Sequence, residues 1–317
     1  MTVTGRPARR AGTALIIGVL AVTAAVAAVT VTSGGPAGRA RAHAGPVTTY
    51  YLSLGDSLSR GVQPDRAGVS VPTSQGYPDQ LYAMLHPANP GLRLVKLGCS
   101  GETTATMIGG GVCHYRGGSQ LAAAVRFLRL RRGRVSLITI DIGANDPNSC
   151  ISHPSLGTLA DCVRSTIPDA IRNLAKILRA LRAAGGAVVR IIGMSYYVPE
   201  LAEWRNGLAG RVLARLSEQL AAGFNDLLAR AYTAAGVRVA DVAGAFGTGD
   251  FAGRLTRPAI GSVPRNVALI CSWTWECARP PRGPNEHPNA AGYRVIAQAF
   301  RRAISANRIQ SAGQFLG

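Results

Sequence analysis

Four residue types that acyl transfer requires stand at four separate places in the sequence. Ser57, in YLSLGDSLSRG, supplies a hydroxyl that becomes a nucleophile once a base removes its proton. Gly101, in KLGCSGETT, offers a backbone N–H that no side chain shields, and Asn145, in DIGAND, offers an amide N–H. Fixed donors of this kind meet the negative charge of a tetrahedral intermediate. The base must come from the histidines. His43 lies in the N-terminal stretch, and His86, His114 and His153 lie in loops or beside Pro and read as surface residues. That leaves His287, in PNEHPNAAGY, just before a helical pattern. Gly-Asp-Ser alone is an ordinary strand-to-helix turn with good capping residues, so the weight rests on the four sites together.

For the four to meet, the chain must fold so that distant segments end at one edge. Short β-branched runs at 48–54, 92–97, 135–142, 187–194 and 237–242 alternate with stretches of helical period, which predicts a parallel sheet of about five strands with helices on both faces. Val163, Ile167, Ile171, Leu174, Leu178 and Leu181 recur every three or four residues and mark one amphipathic helix. Further helices are expected around 78–86, 119–132 and 207–235, and a last one after His287 with Asn289 as its N-cap. Ligands of open parallel sheets bind beyond the carboxyl ends of the strands. Ser57, Gly101 and Asn145 follow the first, second and third predicted strands, so they are expected to converge there. Segments 60–76 and 243–286 have no place in this alternation and read as functional walls or lids. Within the second, Phe246, Trp273 and Trp275 either line an acyl pocket or pack that loop, and both readings stand.

The first 44 residues carry Arg6, Arg9, Arg10, Arg39 and Arg41, no acid, and the apolar run TALIIGVLAVTAAVAAVTV. This is the layout of an export signal, with Ala-x-Ala at 42–44 as a cleavage site; left uncleaved, the run has the length of a membrane anchor. Residues 45–317 then form one domain. The formal charge of the whole chain is +19, and all its basic residues except Lys96 and Lys176 are Arg. They are scattered through helical stretches, which argues against nucleic acid as a partner; an anionic cell-envelope surface is a candidate, but the near-absence of Lys favours codon bias as the source of the charge.

Six cysteines follow the N-terminal segment, and an even count in an exported chain points to disulfides. Fifteen pairings are formally open. The residues fall into three local couples, so Cys99–Cys113, Cys150–Cys162 and Cys271–Cys277 is the simplest scheme, each bridge bracing a loop next to Gly101, Asn145 or His287. A zinc site competes weakly, because there is no C-x-x-C and no His at ligand spacing from the cysteines.

Taken together, the blocks GDSL (Gly55–Leu58), SGETT around Gly101, GAND (Gly143–Asp146) and HPNAAGY from His287 resemble those of the SGNH (GDSL-like) hydrolases, in order and across nearly the whole chain after the N-terminal segment. The chain is similar to exported actinobacterial members with three disulfides. The resemblance implies a three-layer α/β/α flavodoxin-like fold, no metal or other cofactor, and ester hydrolysis through an acyl-enzyme. By position it makes Ser57 the nucleophile, the Ser57 and Gly101 backbone N–H groups with the Asn145 side chain the oxyanion hole, and His287 the base. The family's Asp three residues before the His is Pro284 here, so the expectation is that the Pro284 carbonyl orients His287, with Glu286 as a weaker alternative.

The readings that follow are a secreted esterase or lipase acting as a monomer on a small-molecule or lipid ester, a carbohydrate O-deacylase, or a weak or inert binding module on the same fold. A phosphate binder ranks last, because no G-x-x-x-x-G-K-[ST] is present and Gly109-Gly110-Gly111 follows no strand.

Overall fold

The computed structural model describes residues 47–147, 156–257 and 260–313. Residues 1–44, expected from sequence to be an export segment with its cleavage site, lie outside the described residues.

Five strands form one parallel sheet: β1 (Thr49–Gly55), β4 (Leu92–Lys96), β5 (Val135–Asp141), β6 (Arg190–Met194) and β7 (Arg238–Ala240), in the order β4-β1-β5-β6-β7. Ranked along the chain this is 2-1-3-4-5, the flavodoxin-like order, whose switch point lies between the first and third strands. These are β1 and β5, and each ends in one of the predicted site motifs. Both are buried along nearly their whole length, as strands covered on two faces must be.

Helices α2 (Tyr77–Leu85) and α9 (Ala290–Gly313) pack together on one side of the sheet. On the other side α4 (Gln120–Leu130), α5 (Leu156–Gly185) and α6 (Gly207–Ala234) pack in sequence, with α3 (Thr104–Gly109) against α4 and α5. The helical period read for α5 buries Leu174, Leu178 and Leu181. Tyr77 stacks on Phe300 at 4.7 Å between centroids, locking α2 to α9.

Two boundaries differ from expectation for local reasons. β6 begins at Arg190 rather than 187, because Arg182 at the end of α5 donates to the carbonyls of Gly186, Ala187 and Val189 and holds that stretch as a helix C-terminal cap. β7 ends at Ala240, because the Asp241 side chain caps α7 (Val242–Ala245) through the Gly244 N–H at 2.8 Å.

Segment 243–286, which has no place in the predicted alternation, contains an antiparallel pair, β8 (Arg254–Arg257) with β9 (Gly261–Pro264), and the helix α8 (Arg265–Trp273). Val267, Ala268 and Ile270 of α8 are fully buried. Segment 60–76 holds a short pair, β2 (Gln63–Pro64) with β3 (Ser70–Val71), pinned by the Thr73 hydroxyl donating to Gly61 O at 2.6 Å.

Candidate active site

Ser57 opens the four-residue helix α1 (Ser57–Arg60), where β1 turns away from the sheet edge. Gly55 makes this turn possible: its φ is +132°, and a Cβ there would lie 2.1 Å from Asp141 O. The ends of β1 and β5 therefore touch, and only glycine permits it. Asp56 caps α1, accepting the Leu58 N–H on Oδ1 at 2.9 Å. Asp141 Oδ2 accepts the N–H groups of Asp56 and Ser59 at 3.2 and 3.1 Å, while the Tyr77 hydroxyl donates to Oδ1 at 2.5 Å. Burial pushes Asp56 up to about 6. Burial, with the charge of Asp56 beside it, holds Asp141 well above the usual carboxylate range.

Gly101 sits at the third position of a turn closed by Glu102 N–H to Cys99 O at 3.1 Å, with φ +78°. Such a turn favours glycine. The Asn145 amide donates to Glu102 O at 3.0 Å, so the loops after β4 and β5 are joined directly. Asp146 adds a second tie, accepting from Thr104 N–H at 2.9 Å and the Thr104 hydroxyl at 2.5 Å. Gln120 binds the same assembly from α4, accepting from Gly55 N–H at 2.7 Å and donating to Gly55 O and the buried Glu102 carboxylate, both at 2.9 Å.

His287 lies in the loop before α9, and Asn289 caps that helix through Ala291 and Gly292 N–H at 3.0 and 3.1 Å. The orienting group differs from the sequence expectation. His287 Nδ1 meets the Asn285 side-chain oxygen at 2.8 Å, whereas Pro284 is exposed. The same oxygen accepts the His287 backbone N–H at 3.1 Å, so it is the carbonyl end of the amide. An Asx turn therefore curls Asn285 back over its own loop and puts the acceptor at Nδ1. The ring consequently carries its proton on Nδ1 and leaves Nε2 as the basic nitrogen. Asn285 is itself held by donation to Ser70 Oγ at 3.0 Å. Glu286 is exposed, and its backbone carbonyl accepts the Tyr197 hydroxyl at 2.9 Å. Burial alone lowers the imidazole to about 4.

Ser57, Asn145 and His287 line one cavity of about 320 Å³, together with Ile167, Tyr196, Tyr197, Val198, Leu220 and Phe224. Gly101 is exposed and does not line this cavity; its loop reaches the site through Glu102. A profile of the GDSL-like Lipase/Acylhydrolase family matches residues 53–295, which span all four motifs. The chain belongs to that family. It matches no curated protein. Among solved structures it is similar to the extracellular lipase from Streptomyces rimosus, at 19% identity over 81% of this chain and 100% of that one, TM-score 0.53. It is also similar to phospholipase A1 from Streptomyces albidoflavus, at 19% identity, 81% and 100% coverage and TM-score 0.51. The lipase Lip_vut3 from a goat rumen metagenome matches at 16% identity, 81% and 97% coverage and TM-score 0.51. At such identities the likeness is one of fold.

In this GDSL-like hydrolase chain the two readings of the aromatic segment separate. Phe246 is fully buried, stacked on Tyr197 at 4.6 Å and set edge-on to Trp273 at 5.2 Å. Trp275 donates to Gln63 Oε1 at 3.3 Å. All three pack the loop and none lines the cavity. Instead, α6 and the stretch after β6 supply the apolar wall. Cys99 is bonded to Cys113 and Cys271 to Cys277. The first bridge adjoins the Gly101 turn. The second closes the loop whose Trp275 accepts the Asn285 N–H at 3.3 Å and donates to His287 O at 3.0 Å. Cys150, and with it the third expected pair, lies outside the described residues.

Asp141, Tyr77, Gln120 and Asn285 had no part in the sequence reading. An Asp at the end of the apolar strand VSLITID was a usable signal, whereas Asn285 stands two residues before His287 with no spacing rule to single it out. For Gln120 and Tyr77 no spacing rule points to the site.

Proposed function

We propose that the chain is a serine carboxylester hydrolase that cleaves acyl esters through an acyl-enzyme on Ser57. The observation that supports this most is the Asn285–His287 hydrogen bond, which fixes a neutral imidazole with a basic Nε2 at a cavity shared by a serine and an amide donor. Among the described residues the imidazole is hydrogen-bonded at Nδ1 alone, which leaves Nε2 open to take a proton. His287 Nε2 takes the Ser57 proton as Oγ attacks the carbonyl carbon. The backbone N–H of Ser57 and the Asn145 amide receive the oxyanion, and the Gly101 turn acts through the Glu102 carbonyl that holds Asn145. The imidazolium then protonates the leaving alcohol, and a water deprotonated by the same nitrogen releases the acid.

A neutral amide orients the ring as a carboxylate does, but adds no negative charge to stabilise the imidazolium. The turnover expected is therefore modest. The cavity volume is near the lower end for small-molecule sites, which favours short acyl groups. Residues 1–44 serve as the export signal or anchor, in keeping with disulfides that persist in an oxidising compartment.

A panel of activated esters of increasing acyl length, run beside Ser57→Ala, tests this reading. Turnover highest on short chains and lost in Ser57→Ala is the expected result. Inertness across the panel, or turnover that survives Ser57→Ala, overturns it.

A further inference from the structure

Eleven large apolar side chains stand exposed among the described residues, and six of them belong to α6. Leu208, Val212, Leu216 and Leu220, one helical turn apart, are exposed by 79, 60, 50 and 63%. A solvated helix normally turns such an i, i+4 stripe inward, and here the buried face is a different one, carrying Ala214 and Leu228. Singly exposed leucines need no explanation, but a contiguous stripe does.

Two further features identify what covers it. Leu220 belongs to both surfaces, since it ends the exposed stripe and also lines the cavity with Ser57 and His287. The start of the helix is cationic, with Arg205, Arg211 and Arg215 exposed. Arg215 lies 4.6 Å from the Phe251 centroid and 5.3 Å from that of Trp204, and Arg211 lies 5.6 Å from Trp204, so planar guanidinium groups are held against aromatic rings beside the stripe. The acids of α6, Glu218 and Asp226, line a separate cavity with Asp241 and Asp250.

We infer that α6 is an interfacial docking helix that lays its Leu208–Leu220 stripe into an anionic lipid surface and brings the mouth of the candidate active site to that surface. An apolar face flanked by arginines matches the acyl boundary and headgroup layer of such a surface. Continuity through Leu220 means that apolar side chains run without a break from the docked surface to the cavity mouth, so that short-acyl esters carried at that surface reach the site. The inference rests on the hydrolase reading only for what docking would serve; docking itself is read without turnover.

The test uses the full chain with a polarity-sensitive fluorophore on Leu208→Cys, and a control probe on Leu130→Cys, an exposed position on another helix. On vesicles of phosphatidylcholine with phosphatidylglycerol, the probe at 208 shifts to the blue and the probe at 130 does not. Val212→Asp with Leu216→Asp weakens vesicle binding at least 10-fold while hydrolysis of a water-soluble ester stays within twofold. Val212→Ser with Leu216→Ser gives the same comparison if the acidic pair does not fold. Several results overturn the inference: no shift at 208, equal shifts at both probes, an equal response to pure phosphatidylcholine, or binding unchanged by the substitutions. A shift that grows with protein concentration and needs no vesicles also overturns it, because it makes the face a contact between copies of the chain. Loss of ester hydrolysis with docking intact removes the hydrolase reading alone.

Discussion

Asn285 Oδ1 stands 2.8 Å from His287 Nδ1 and accepts the His287 backbone N–H at 3.1 Å, so one side-chain oxygen fixes both the loop and the ring it carries. Removing that oxygen leaves Nδ1 without its acceptor and lets the tautomer reverse. Asn285→Ala is expected to lower kcat by about 100-fold, well short of the ~10⁴-fold seen when a charged triad partner gives the wrong tautomer. Pro284→Ala and Glu286→Gln should each stay within a few fold. Steady-state kinetics on folded variants decide it, and a Glu286→Gln loss as large as that of Asn285→Ala shifts the orienting role to the carboxylate.

The pH dependence follows from the same geometry. The base works when neutral, and burial lowers the His287 imidazole from its usual 6.5 to about 4, with no carboxylate opposing that shift. Activity should therefore persist below pH 6 and fall only as pH drops through about 4. In Asn285→Asp an ionised carboxylate beside Nδ1 favours the imidazolium, so the acidic limb should move up toward 6.5. A kcat/KM profile of each protein on a neutral ester measures both limbs, and a wild-type limb at 6.5 contradicts the burial argument.

Gly101 and Asn145 should fail in different ways. A Cβ on Gly101 meets no atom within 4 Å, so a side chain there is not crowded. What remains is backbone conformation, because φ +78° is left-handed and costs an L-residue roughly 1–2 kcal/mol. Gly101→Ala should thus lower the melting temperature with a smaller effect on kcat. Asn145→Ala should lower kcat by about 100-fold or more. Thermal denaturation and kinetics on the two variants separate these outcomes.

The Cys99–Cys113 bridge closes a loop with a sequence separation of 14 that contains the Gly101 turn. In the chain-entropy picture a loop of this size contributes ~3 kcal/mol. Cys99→Ser with Cys113→Ser should reduce stability by about that amount and reduce turnover as the Gly101–Glu102 turn that holds Asn145 loses its position. Denaturant titration beside kinetics gives both numbers, and full stability with full turnover removes the bracing role.

What was legible in the sequence is what local pattern encodes. Strand-length apolar runs marked all five parallel strands, and Ser57, Gly101 and Asn145 stood in the motifs that end three of them. What was hidden depends on contacts remote in sequence or on local backbone shape. Nothing in residue spacing tells that Asn285 turns its oxygen back to Nδ1, a result of an Asx turn held by Ser70, 215 residues away. The apolar run of α8 was masked by neighbouring Pro and Trp residues, although its burial against Trp204 and Leu255 makes it a helix. The Asp56–Asp141 pair arises because Gly55 lets two strand ends touch, a close approach that shows only in three dimensions.

Ser57 is proposed to be a nucleophile that His287 activates, and every step of the proposed hydrolysis depends on that pairing. Its most direct measurement is peptide mapping by mass spectrometry after reaction with an activated phosphonate ester that traps nucleophilic serines. The predicted result is one adduct per chain on the Ser57 peptide, absent in Ser57→Ala and formed at least 1,000-fold more slowly in His287→Ala. An adduct on another residue, or one that forms at the same rate without His287, contradicts it.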